Sequence, residues 1–257
     1  MHQLRSPSGV TVSYVTEGDG PPLVLVHGSF TDHRTNWQFV QSAWVSQSTV
    51  YAVARRGRGR TDGTVGHEVT DEAQDVASLI GSIGTPVDML GHSYGGQVAL
   101  AAAAALPDHV RRLILYEPPW PHIIPKTQVA RLEAFAAAGD WAGFATAFFR
   151  DTLAVPLKEL EQLQATDLWD QILADAEASL GDIRALTRYP FHPEDFRSLG
   201  MPVMLQIGAE SPRDLYVTDA LAAVLPDARI EPLPGQAHDA MMTAPQLYGE
   251  SVLRFLL

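Results

Sequence analysis

Val87-Asp88-Met89-Leu90-Gly91-His92-Ser93-Tyr94-Gly95-Gly96-Gln97-Val98-Ala99-Leu100, followed by an alanine run, Leu106 and Pro107, is the stretch that decides how this chain folds. VDML (87–90) reads as a short buried strand. The alanine run is strongly helix-forming, and its unbranched face lets a helix lie close on a sheet until Pro107 ends it. Between strand and helix stands Gly91-His92-Ser93-Tyr94-Gly95, a G-x-S-x-G whose glycines permit a sharp, strained turn. Such a turn lifts the Ser93 hydroxyl above the sheet and sets it beside a helix N-terminus. The pentapeptide alone arises by chance, and a glycine-rich turn without chemistry is its plain alternative. The strand before it and the helix after it make it informative.

Outward from this stretch the same alternation continues. Val10 to Val15 alternates and is expected as an early edge strand. Apolar runs at 21–28, 48–57, 111–117, 202–208 and 228–234 suit buried parallel strands, the third of these stopped by Pro118-Pro119. Helical spacing covers 70–83, with Thr70 and Asp71 as capping candidates, and also 214–226 and the last residues of the chain. Strands alternating with helices predict an α/β fold with a doubly wound, mostly parallel sheet. Residues 118–200 break the pattern, with helical segments near 126–138, 141–151, 157–164 and 167–187 and no convincing strand. The expected organisation is a core of 1–117 and 201–257 with a helical cap, 118–200, inserted over the sheet's C-terminal edge.

Composition narrows the function. The chain has 257 residues, 46% hydrophobic and 19% charged, which suits one globular α/β domain carrying an insertion. It has no cysteine, which excludes disulfides, thiolate metal sites and a cysteine nucleophile. The net charge of −12 speaks against nucleic acid, whose binding is driven by Lys and Arg. The one basic cluster, RRGRGR at 55–60, reads as a loop at a strand end. Gly57, Gly59 and Gly63 miss the G-x-G-x-x-G spacing, so no nucleotide cofactor is expected. No apolar run spans a bilayer, and MHQLRSPSGV lacks a signal-peptide core, so the expectation is a cytoplasmic protein whose partner is a small-molecule substrate. Oligomeric state is not readable from the sequence.

Three further groups complete the chemistry. His27-Gly28-Ser29 follows the apolar strand, and the backbone N–H groups of Ser29 and Tyr94 are placed to form a two-donor oxyanion hole. His238 lies in LPGQAHDAM (233–241), in a loop past the last strand from which an imidazole reaches the serine. His27 and His92 lack metal-type spacing and read as packing and hydrogen-bonding residues. The other histidines, at 2, 33, 67, 109, 122 and 192, default to surface or capping roles; His122 is notable for opening the insertion.

In this order of HG-S, GHSYGG, a late acid and a late histidine, nearly the whole chain resembles the α/β-hydrolase superfamily. It is similar to small bacterial cofactor-independent hydrolases with a helical cap, whose strand-end loop the segment RRGRGRTDG resembles, although Ala54 stands where that group carries aspartate. The resemblance implies Ser93 as nucleophile, His238 as general base, the N–H groups of Ser29 and Tyr94 as oxyanion hole, and no metal or cofactor. The family's usual acid slot is Ser211, which cannot supply a negative charge. Glu117 at the end of the strand beside the serine strand, Glu210 one position short of the slot, and Asp214 are the candidates, in that order; a histidine without an acid partner is the remaining alternative. Certain haloalkane dehalogenases carry the acid at the strand end where Glu117 falls. Dehalogenases and epoxide hydrolases on this fold use an aspartate nucleophile, so Ser93 points to ester, lactone, thioester, amide or carbon–carbon bond hydrolysis. A lyase or biosynthetic cyclase on the same triad, and a ligand receptor with residual hydrolysis, stay open. Trp120, Trp141, Phe144, Phe148 and Trp169 in the cap, with Phe30 and Trp37 near the oxyanion loop, favour an apolar or aromatic substrate; Phe30, Trp120 and Trp141 are the substrate-binding candidates.

Overall fold

The computed structural model describes residues 1–63 and 66–257. Eight strands form one sheet: β1 (His2–Arg5), β2 (Thr11–Glu17), β3 (Pro22–Val26), β4 (Thr49–Ala54), β5 (Val87–His92), β6 (Val110–Tyr116), β7 (Val203–Gly208) and β8 (Ala228–Leu233). Their spatial order is β1-β2-β4-β3-β5-β6-β7-β8, parallel from β4 through β8 and antiparallel at β1 and β2. The expected α/β fold with a mostly parallel sheet is therefore present. One detail differs: the strand around Val10–Val15 is not the edge, because His2–Arg5 pairs outside it. That outer strand is four residues long and mostly exposed, so it carries no apolar alternation to announce it.

Helices α1 (Gln41–Trp44), α2 (Val69–Ile83) and α3 (Tyr94–Ala105) belong to the first half of the sheet. Between β6 and β7 run α4 (Lys126–Ala137), α5 (Trp141–Asp151), α6 (Leu157–Gln164), α7 (Asp167–Ala174) and α8 (Ala176–Arg188), and the chain closes with α9 (Thr218–Val224), α10 (Ala240–Thr243) and α11 (Pro245–Leu256). The α2 cap lies earlier than Thr70: Glu68 is the N-cap and Asp71 returns its carboxylate to the Glu68 N–H at 2.9 Å, a reciprocal capping box. The helix expected over 214–226 starts only at Thr218. The preceding backbone is spent elsewhere, since Val217 N–H donates to the Pro118 carbonyl and the Leu215 carbonyl accepts from Trp120 N–H.

Both faces of the sheet are buried, as continuous apolar strands require. Val24, Val26, Leu113 and Leu205 pack with α2 and α3 on one side; Leu23, Leu25, Ile114 and Met204 pack with Trp37, Trp44 and α11 on the other. Helices α4 to α8 build a third cluster around Leu132, Phe144, Trp169 and Ile172, which Phe30 of the core joins.

The basic loop at 55–60 turns out to be an internal fastening. Arg55 and Arg58 are buried, and both guanidinium groups reach the buried Asp182 of α8, at 2.7 and 2.8 Å. Arg58 also pairs with Asp175 at 2.8 Å, Arg55 with Glu72 of α2 at 3.0 Å, and Arg56 with Asp75 at 2.6 Å. Burial opposes the charge on Asp182, but the two guanidiniums outweigh it and hold its carboxyl far below the usual range. Breaking a buried pair leaves a charge uncompensated. Asp182→Ala is therefore expected to lower stability by about 3–5 kcal/mol in urea unfolding. Arg131→Ala, which removes a largely exposed pair with Asp151, should cost under about 1 kcal/mol.

Candidate active site

The sheet register places the site. His92 of β5 lies opposite Tyr116 of β6, so the next residues, Ser93 and Glu117, leave the sheet side by side. Ser93 has φ 54° and ψ −127°, the strained corner that the glycine pattern anticipates. Its neighbours are buried while Ser93 itself keeps contact with solvent. The tightness has a steric origin at Gly95, where a Cβ would overlap the carbonyl oxygens of Val26 and His27. A Cβ on Gly28 would come within 3.2 Å of Ser93 Cβ, so the chain just past β3 and the serine turn are in direct contact.

Glu117 is fully buried and also adopts a positive φ, 50°. One carboxylate oxygen accepts from Gly208 N–H at 2.7 Å, and the other lies 2.5 Å from His238 Nδ1. Glu210 and Asp214, the other sequence candidates for the acid, are exposed and make no contact with His238. Ser211, in the family's usual slot, is a buried serine. The His238 ring stacks on Tyr216, with centroids 5.4 Å apart at 12°. Its own carbonyl is held by His92 Nε2 at 3.1 Å, and the Tyr116 hydroxyl donates to the Ala237 carbonyl beside it. Burial works to lower the His238 pKa. The Glu117 hydrogen bond and charge, with Asp239 adding to them, outweigh burial and leave the pKa raised above the ordinary imidazole value. His92, buried without such a carboxylate, is pushed the other way and stays neutral. Among the described residues neither Ser93 Oγ nor His238 Nε2 has a hydrogen-bond partner, and both line one cavity. Such contacts commonly tighten only with substrate bound.

The oxyanion-hole candidates are organised by the buried charge cluster. Ser29 Oγ donates to Asp182 at 2.8 Å, and Phe30 N–H is taken by Ser179 Oγ at 2.7 Å. Ser29 N–H has no protein acceptor among the described residues, nor has Tyr94 N–H at the first position of α3. Arg55 Nη2 donates to the Gly28 carbonyl at 2.9 Å, its guanidinium lies 4.6 Å from the Tyr94 ring centroid, and the Tyr94 hydroxyl donates to Glu72 at 3.0 Å. Sequence reading missed this role for Arg55, Glu72 and Asp182. The only signal was a short basic run, and its acidic partners lie up to 127 positions away.

The cavity is about 100 Å³ and mainly apolar, lined on its aromatic side by Phe30, Phe148, Phe149 and Tyr216. Phe30 is thus where a substrate-binding residue should be, but Trp120 and Trp141 are not. Trp120 packs edge-on against Phe191, and Trp141 edge-on against Phe144, outside the cavity wall. Trp120 packs on the core beside the sheet, while Trp141, half-buried, borders a separate groove with Gly57, His67 and Ala178. Trp37 is buried below the sheet, and His122 is exposed against Trp120.

His67, Glu72 and Asp182 bring potential ligand atoms within 4.8 Å of one another. Arg55 pairs with both of these carboxylates and Arg58 also with Asp182, so a metal ion there would be set against two positive charges. No described helix is long and apolar enough to cross a membrane.

Comparison with known proteins agrees with this architecture. The pyrrolizixenacetamide deacetylase of Xenorhabdus hominickii is 41% identical over 106 residues, a match spanning 40% of each chain. A putative 2-succinyl-6-hydroxy-2,4-cyclohexadiene-1-carboxylate synthase of Bacillus subtilis is 25% identical over 268 aligned positions, covering 95% of both. The crystal structure of an alpha/beta hydrolase from Sphaerobacter thermophilus superposes over 100% of both chains with a TM-score of 0.87 at 27% identity. The sequence profile of the alpha/beta hydrolase family matches residues 23–250, and the chain belongs to that family.

Proposed function

We propose that the protein is a serine hydrolase of small, apolar acyl compounds, working through a covalent acyl-enzyme. The observation that carries this reading is the 2.5 Å contact between Glu117 and His238 Nδ1, in a cavity that also holds the strained Ser93. With Nδ1 committed to Glu117, the neutral ring presents Nε2 as acceptor. His238 takes the Ser93 proton as Oγ bonds to the substrate carbonyl carbon. The carbonyl oxygen becomes an anion facing the N–H groups of Ser29 and Tyr94. Collapse expels the alcohol or amine, which leaves with the proton returned by His238. Water, deprotonated in turn by His238, releases the acid and restores Ser93.

The deacetylase relative is named for removal of an acyl group, which accords with acyl transfer to water. The synthase relative favours a second reading, a lyase or cyclase on the same residues. Its named product is a carboxylate, whereas among the described residues no lysine or arginine lines the cavity here, so hydrolysis of an uncharged acyl compound is the better supported reading.

A fluorophosphonate probe should modify Ser93 alone, located by peptide mass spectrometry, and Ser93→Ala should lose about 10⁴-fold or more in turnover. An adduct on another serine would overturn the assignment.

Activity should rise with pH as His238 loses its proton, with a midpoint above the unperturbed value of about 6.5, because the carboxylates stabilise the charged ring. Glu117→Gln should move that midpoint down and lower kcat by about 10³–10⁴-fold. Glu210→Gln should change neither; pH–rate profiles of the three proteins check this.

A further inference from the structure

Asp239 follows His238 and lines the same cavity, yet no described residue gives its carboxylate a hydrogen bond or an ion pair. It occupies the N-cap position of α10, where an aspartate ordinarily accepts a backbone N–H, and here makes no such bond. The residue is half-buried, and that burial, assisted by the Glu117 charge and opposed by His238, raises its pKa from the ordinary aspartate value.

The rest of the cavity supplies no compensating charge. The other acid in the lining, Asp182, is saturated by Arg55, Arg58 and Ser29. Among the described residues no lysine or arginine lines the wall. Of the two imidazoles there, His92 is held neutral by burial, and His238 must be neutral to act as a base. Among the described lining residues a ligand therefore meets an unmatched negative charge on a mainly apolar wall, where charges act on each other more strongly than in bulk water.

We infer that Asp239 is a charge filter at the site: the cavity takes neutral and ammonium-bearing acyl compounds and turns away those carrying a carboxylate. An ammonium group would relieve the unpaired carboxylate, and a second anion would add to it. This deepens the serine-hydrolase reading and rests on it for turnover, though not for binding.

Three 4-nitrophenyl esters of equal chain length separate the effect of Asp239 from simple desolvation: hexanoate, 6-aminohexanoate and hemiadipate. Both charged esters suffer burial, so only a fixed charge distinguishes them. At neutral pH the wild-type protein should cleave the amino ester with a kcat/KM at least about tenfold above the hemiadipate, the size expected of one nearby charge. In Asp239→Asn that ratio should fall to within about threefold, with hexanoate as the internal reference. A hemiadipate preference in the wild type, or an unchanged ratio in Asp239→Asn, would overturn the proposal.

If no ester turns over, the acyl-enzyme reading fails, and the filter is still read by calorimetry. Hexanamide, 6-aminohexanamide and adipamate are titrated into Ser93→Ala with and without Asp239→Asn. Tighter binding of the amino amide than of adipamate, lost with Asp239→Asn, supports the filter. Equal affinities, or no binding by any of the three, count against it.

Discussion

Two guanidinium groups buried under the cap constrain everything above the sheet. Arg55 and Arg58 have no water to hold their charge, so Asp182, Asp175 and Glu72 must come to them. Asp182 and Glu72 sit on α8 and α2, and Asp175 just before α8, so satisfying the arginines docks the helical segment onto the core. Ser29 and Phe30 are drawn into the same network through Asp182 and Ser179, and Tyr94 through Glu72. The loop carrying Ser29 and the residue Tyr94 are thus held by the same charges that fasten the helical segment to the core.

That coupling gives the family assignment its chemical content. The sheet brings Ser93, Glu117 and the His238 loop to its C-terminal edge, where ligand sites gather in such folds. Ser93 and Glu117 both hold positive φ values, conformations costly for residues with a Cβ and kept only where surroundings over-determine them. For Ser93 the surroundings are the close-packed glycines; for Glu117 they are Gly208 N–H, His238 Nδ1 and the adjoining Pro118. With serine at position 211, the carboxylate that meets His238 comes from the end of the neighbouring strand, and the imidazole stacks on Tyr216 while Tyr116 holds the adjoining Ala237 carbonyl.

The cavity wall is built from different residues. The apolar wall comes from Phe30, Phe148 and Phe149, while Trp120 and Trp141 stand outside it. The large indoles most visible in the sequence are therefore poor guides to the cavity lining. Asp239 drew no notice beside His238, yet it is the wall's one carboxylate without a partner among the described residues.

Local chemistry in the sequence determined the parallel strands, the alanine-rich helix, the helical stretch after Pro119 and the serine turn, because each is written in short-range periodicity and in glycine and proline positions. It also ranked Glu117 first among the acids, since a strand end next to the serine strand is fixed by topology. Tertiary structure alone decided which way each carboxylate faces, and so brought Glu117 rather than Glu210 or Asp214 against His238. It also turned a basic loop into the anchor for helices more than a hundred positions away, and it put the indoles behind the cavity wall rather than in it. Charge pairing and apolar packing are satisfied in three dimensions between residues whose separation along the chain carries no signal, and no window of sequence contains both partners.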